Sequence, residues 1–206
     1  MRTWTAIIAI VILPGCAVGS QHSYSRTFPY LGVEGSHSVA VATQDARPYV
    51  LSKEKTPDFV GIQRGGFGNP FDVTTASGKP LADDFSQTVA QALQHGGYKS
   101  SVAAVPLAQA LPDVRALAGQ NQRLALITLH EWKSDTYQNT ALVYEVTLRI
   151  FDGDGVELAT NRIGGKDNLG GSAFNPPSHA RIAVPAAYLR KLSELFDTDA
   201  VVRSLR

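Results

Sequence analysis

The chain contains a single cysteine, Cys16, in 206 residues. No disulfide can form within it, so its fold must rest on a hydrophobic core. It also lacks a surplus of either charge, with 19 Lys and Arg against 18 Asp and Glu. Phosphate backbones are held by a basic surplus or stripe, and the absence of both excludes nucleic acid as a partner. The basic residues near the end (Arg190, Lys191, Arg203, Arg206) alternate with Glu194, Asp197 and Asp199, the pattern of a solvated helix face.

Catalytic constellations are missing as well. The histidines, His22, His37, His95, His130 and His179, share no ligand spacing, so no metal site is expected. No nucleophile elbow of the G-x-S-x-G kind occurs. Gly165-Lys166 is followed by Asp167 where a Walker loop needs Ser or Thr, and Gly66-Phe67-Gly68 lacks the third glycine of a dinucleotide loop. Asp152 and Asp154 begin like a calcium loop, but Val156 and Glu157 stand where an acid or Asn and then Gly are required, which leaves a hairpin turn. No catalytic residue, cofactor or metal is therefore assigned, and the chain reads as non-enzymatic.

What the sequence does have is an address. Arg2 and the amino terminus precede an uncharged apolar run, Trp4 to Leu13, about half the length of a membrane-spanning helix. Leu13-Pro14-Gly15-Cys16 follows, and here the chain resembles a bacterial lipoprotein precursor, with Leu13 at −3, Gly15 at −1 and Cys16 at +1 of a lipobox; Pro14 departs from the usual small or hydroxyl residue at −2. The resemblance implies cleavage before Cys16, a thioether-linked diacylglycerol on its sulfur and an acyl chain on its nitrogen. Several acyl chains anchor a protein durably where one holds only marginally. By the same resemblance, Ala17 after the cysteine, where Asp would mark inner-membrane retention, implies the outer membrane; the domain is expected to face the periplasm, with display on the cell surface as the alternative.

The expected organisation is a signal peptide over 1–15, a tether over 16–37 and one domain over 38–206. The tether carries the aromatics Tyr24, Phe28 and Tyr30, which either dock on the domain or contact a partner. Residues 38–44 alternate as a first strand ended by Asp45-Ala46-Arg47-Pro48, and 58–63 read as a second. Pro80 is placed to open a helix with Asp83 and Asp84 in its first turn, Leu81, Phe85, Val89 and Leu93 as its apolar stripe and Gly96-Gly97 as its stop. Strands follow over 98–105, 124–132, 141–151 and 156–163, with a turn at 133–139 and another at Asp152-Gly153-Asp154-Gly155. Residues 164–177 read as an exposed loop or an extended edge crossing, and Pro185 as the start of the last helices. The fold class expected is α+β: a mainly antiparallel sheet with a meander at 124–163, and helices at about 80–95 and 185–204 packed on one face.

One segment stands out as a candidate contact site. Arg64, Gly65, Gly66, Phe67, Gly68, Asn69 and Phe71 put three glycines, an Asn-Pro step and two phenylalanines into eight residues. Arg64 and the glycine amides can grip an anionic or peptide ligand beside apolar contact from the phenylalanines; alternatively, Phe67 and Phe71 plug a sheet edge and the glycines only make the turn.

In layout the chain resembles the small outer-membrane lipoproteins of the YajG type. The resemblance rests on the early strand with its Asp45-Ala46-Arg47 step, the Leu81 to Leu93 helix ending in Gly-Gly-Tyr, and a three-strand run closing on a C-terminal helix with Val201-Val202. The glycine-rich 64–73 loop and the 164–177 segment depart from it. It implies a fold and a location and no biochemical activity. The function expected is a membrane-anchored binding or accessory module for an envelope protein or glycan partner; the alternative is an accessory subunit of a lipid or lipopolysaccharide transport machine.

Overall fold

The computed structural model describes residues 20–107 and 110–206. Cys16 and the apolar run before it lie outside the described residues. The elements are β1 (Gln21–His22), β2 (Ser38–Asp45), α1 (Pro48–Leu51), β3 (Phe59–Arg64), β4 (Pro70–Thr75), α2 (Leu81–His95), β5 (Lys99–Val102), α3 (Val114–Ala118), β6 (Arg123–Thr136), β7 (Asn139–Asp152), β8 (Glu157–Gly171), α4 (Pro176–Phe196) and α5 (Asp199–Leu205). The described strands join in one eight-stranded sheet.

The meander β6-β7-β8 is present and antiparallel, but the sheet as a whole is mixed, which corrects the mainly antiparallel expectation. β2 runs parallel to both β5 and β6, and β3 runs parallel to β6. The cause is the length of β6. Its first half pairs with β2 (Val39↔Arg123 to Asp45↔Leu129) and its second half with β3 (Gly61↔Ser134 to Gln63↔Thr136), so two short strands lie end to end along one edge. Between them the chain leaves the sheet through Ala46 and α1 and returns.

A buried ion pair fixes that detour. Arg47 reaches back to Asp45, Nε to Oδ1 at 2.8 Å and Nη2 to Oδ2 at 2.7 Å, and its Nη1 donates to the carbonyl of Phe59 at 2.6 Å. Burial disfavours its charge, yet the hydrogen bonds and charge of Asp45 outweigh that and hold the guanidinium pKa above its ordinary value.

Helices α2, α4 and α5 cover one face of the sheet over a core of Val39, Val41, Ile127, Leu129, Phe85, Val89, Tyr188 and Leu195. The short α3 covers part of the other face, over Ala40, Ala42, Leu124, Leu126 and Phe151. Three boundaries differ from expectation. Pro80 is the N-cap of α2 and not its first residue. Helix α4 starts at Pro176, with Asn175 accepting a hydrogen bond from the Ser178 amide, so Pro185 lies inside it. β8 continues to Gly171 as an exposed edge strand.

Residues 20–37, read from sequence as tether, pack on the domain. β1 pairs parallel with β4, and Leu31 and Val33 are buried. Tyr24 packs edge-on against Trp132 and Tyr188 and accepts a hydrogen bond from the Trp132 indole nitrogen at 3.1 Å. Phe28 and Tyr30 are exposed.

Candidate functional site

The 64–73 segment is the β3-β4 hairpin and its tip. Arg64 pairs with Pro70 and Gln63 with Phe71. The turn between them closes through the Gly65 amide to the Asn69 carbonyl (2.9 Å) and the Gly68 amide to the Gly65 carbonyl (2.8 Å). Gly68 sits at φ +83°, where a β-carbon is strained. A β-carbon on Gly65 would lie 3.1 Å from the Phe71 ring, so this glycine leaves room for the ring beside the turn.

The side chains divide between two roles. Arg64 is spoken for: Nε and Nη2 donate to the two carboxylate oxygens of Asp135 on β6, at 2.9 and 2.7 Å. That hydrogen bonding, and then the charge of Asp135, raise the Arg64 pKa above its ordinary value. Its fork faces its own sheet and not a ligand. The phenylalanines are not plugs in the sheet edge, since Phe67 is 99% exposed and Phe71 49%. The site therefore offers apolar contact over a neutralised base.

Two further loops meet the hairpin at this end of the sheet. The β6-β7 turn, narrower than the expected 133–139, carries Tyr137, 47% exposed, whose hydroxyl donates to the Gly66 carbonyl at 3.5 Å. The segment after β8 is tied to that turn by the Ser172 amide on the Gln138 carbonyl at 3.2 Å, and two residues on it presents Phe174, fully exposed. Neither Tyr137 nor Phe174 is singled out by sequence. For Phe174 the available signal was an aromatic ring in an uncharged stretch of Gly, Ser, Asn and Pro, the same composition that marks the hairpin; Tyr137, between Thr136 and Gln138, had no such signal.

Grooves also lie elsewhere on the described residues. One of about 370 Å³ is lined by Val105, Pro106, Leu111, Pro112 and Leu117 beside α3. Another, of about 420 Å³, is mixed in character and sets Thr43, Ser77, Lys79, Asp84 and Ser86 at the start of α2 opposite Val102 and Val105. Burial raises the Asp84 pKa, and the Ser77 hydroxyl, 2.8 Å away, acts in the opposite direction. No group of three His, Cys, Asp or Glu able to hold a metal ion occurs among the described residues, and no described helix is long and apolar enough to cross a membrane.

No family model and no curated protein sequence matches the chain, so the YajG-type resemblance is not confirmed. Among solved structures, the fold is similar to that of a Xanthomonas campestris protein of the DUF330 family, at 14% identity and TM-score 0.53 over 89% of this chain and 92% of the other. Weaker likenesses include uncharacterized lipoprotein B of Nitrosomonas europaea (11% identity, TM-score 0.41, 84% of this chain and 88% of the other) and a Neisseria meningitidis lipoprotein (15%, 0.30, 77% and 99%). At these identities the first likeness shows the fold alone, and the two weaker ones carry no argument.

Proposed function

We propose that this protein is a lipid-anchored envelope lipoprotein without catalytic chemistry, a binding or accessory module whose contact surface is the 64–73 hairpin. The observation that carries the reading is the motif Leu13-Pro14-Gly15-Cys16 behind a short apolar run, with the only cysteine of the chain at the point of lipid attachment. The hairpin adds how contact is made. Arg64 is engaged by Asp135, so binding runs through Phe67 and Phe71 and owes little to charge. The acyl chains of Cys16 hold the domain at a membrane, and Ala17 after the cysteine favours the outer membrane, with the domain on its periplasmic side.

Photo-crosslinking in intact cells from a reactive residue at position 67 tests this, with native and Cys16→Ala chains compared. The expected result is one dominant adduct from the native chain that is lost in Cys16→Ala. Equal adducts from both chains, or none from either, overturn the assignment of the hairpin.

The groove of Val105, Leu111 and Leu117 supports a second reading, an accessory subunit of a lipid transport machine, because its lining is almost wholly apolar and its size suits part of an acyl chain. Lipid copurifying with the native chain and lost on Leu117→Asp supports it; a chain reproducibly free of bound lipid in that groove counts against it.

A further inference from the structure

Four of the six exposed aromatics of the described residues, Phe67, Phe71, Tyr137 and Phe174, stand at one end of the sheet. The three segments that carry them, 65–71, 137–140 and 168–178, contain no Asp, Glu, Lys or Arg. The charges that flank the hairpin are paired, Arg64 with Asp135 and Asp72 with Lys55. The opposite end has a different character: the β7-β8 turn carries Asp152, Asp154 and Glu157 with Arg115 and Arg149 beside them, and no exposed aromatic ring. The fourteen residues of β6 separate the two ends by about 43 Å.

The chain enters the domain near the aromatic end. β1 runs parallel to β4, with Gln21 beside Thr74 and the Ser20 carbonyl accepting from the Thr74 amide at 3.2 Å. Going backward from Ser20 is thus the direction from Thr74 toward Pro70 and the hairpin tip. Four peptide steps separate Ser20 from Cys16, a reach of at most about 14 Å. Ser20 is level with the Ser134 region of β6, so the charged β7-β8 end lies about 36 Å away, beyond that reach.

An uncharged surface bearing Phe and Tyr rings partitions into the headgroup boundary of a bilayer, where apolar rings are buried and a tyrosine hydroxyl stays wet. We propose that the end of the sheet built from the 65–71 hairpin, Tyr137 and Phe174 rests in the surface of the same bilayer that holds the Cys16 lipid, with Phe67 and Phe174 inserted. This rests on the lipid-anchored reading and names the bilayer as the partner of the hairpin. The acyl chains provide the attachment; the aromatic end sets the orientation and turns the Asp152 to Glu157 end away from the membrane.

The test uses the full, lipidated chain in vesicles of phosphatidylethanolamine and phosphatidylglycerol. Acylation occupies the only native thiol, so a cysteine introduced by Phe67→Cys, Phe174→Cys or Asp154→Cys takes an environment-sensitive fluorophore alone. The two aromatic positions are fully exposed, so these replacements remove no packing. The expected result is a blue shift and loss of fluorescence to brominated lipid at 67 and 174, with neither at 154. Labels that stay water-exposed at 67 and 174 on chains that float with the vesicles overturn the orientation while the lipid anchor stands. A blue shift without lipid quenching overturns it too, in favour of a protein covering that end. Chains that carry no acyl group and fail to float overturn the anchor and the orientation together.

Discussion

Arg64 holds Asp135 through two parallel hydrogen bonds, Nε to Oδ1 at 2.9 Å and Nη2 to Oδ2 at 2.7 Å, across the junction of β3 and β6. The pair is partly exposed, so it adds little to stability, but it neutralises a positive charge beside the aromatic tip. Asp135→Asn therefore leaves the thermal midpoint almost unchanged while releasing a cation there. Vesicle sedimentation of the Cys16→Ala chain should show binding to anionic lipid that rises on Asp135→Asn and falls with salt. Salt-insensitive binding equal to that of the unsubstituted chain would count against the neutralising role of Asp135.

The Asp45–Arg47 pair is different because both side chains are buried. Removing one partner strands the other charge in the core, at a cost of about 3–5 kcal/mol. Arg47→Met should lower the urea midpoint accordingly, and Asp45→Asn should destabilise as well. A loss no larger than that of a surface pair would show that water reaches the site.

His22, on β1, is buried, with its Nε2 3.3 Å from the Ser134 hydroxyl. Burial, opposed by a backbone hydrogen bond at Gln21 and assisted by the Arg181 charge, lowers its pKa from 6.5 to about 4. Between these values the unfolded chain binds a proton that the folded chain refuses. Stability is therefore complete above pH 6.5 and declines as pH falls toward 4, by on the order of 3 kcal/mol. Unfolding curves of native protein and His22→Gln over this range should converge as pH falls; parallel curves would remove His22 as the cause.

Tyr24 ties the entering segment to the core through its hydroxyl on the Trp132 indole. Tyr24→Phe leaves that buried N–H without its acceptor and should cost about 1–3 kcal/mol. Trp132 fluorescence reports the same change, and an unaltered urea midpoint would contradict the tie.

Much of this molecule is legible in its sequence, and what is not has definable causes. The α2 stripe and the β6-β7-β8 alternation are local patterns, so their elements emerge close to where periodicity places them. Parallel pairing of β2 and β3 with one edge of β6 is set by contacts far apart in the chain, which no local period encodes. Pro185 misleads because a proline normally opens or ends a helix, whereas Asn175 caps this one ten residues earlier. The docking of residues 20–37 rests on Tyr24, Leu31 and Val33, too widely spaced to make a period. At the site, the hairpin composition stands out, but the engagement of Arg64 by Asp135 and the meeting of Tyr137 and Phe174 with the tip depend on tertiary pairing.

The central claim is that Cys16 is the lipid-bearing first residue of the working protein. Intact-mass spectrometry of the chain extracted from membranes tests it most directly. The account predicts a mass lacking residues 1–15 and raised by a diacylglyceryl group and an acyl chain, with Cys16→Ala yielding no such species and leaving the membrane fraction. A native chain whose mass is that of the unmodified sequence would contradict it.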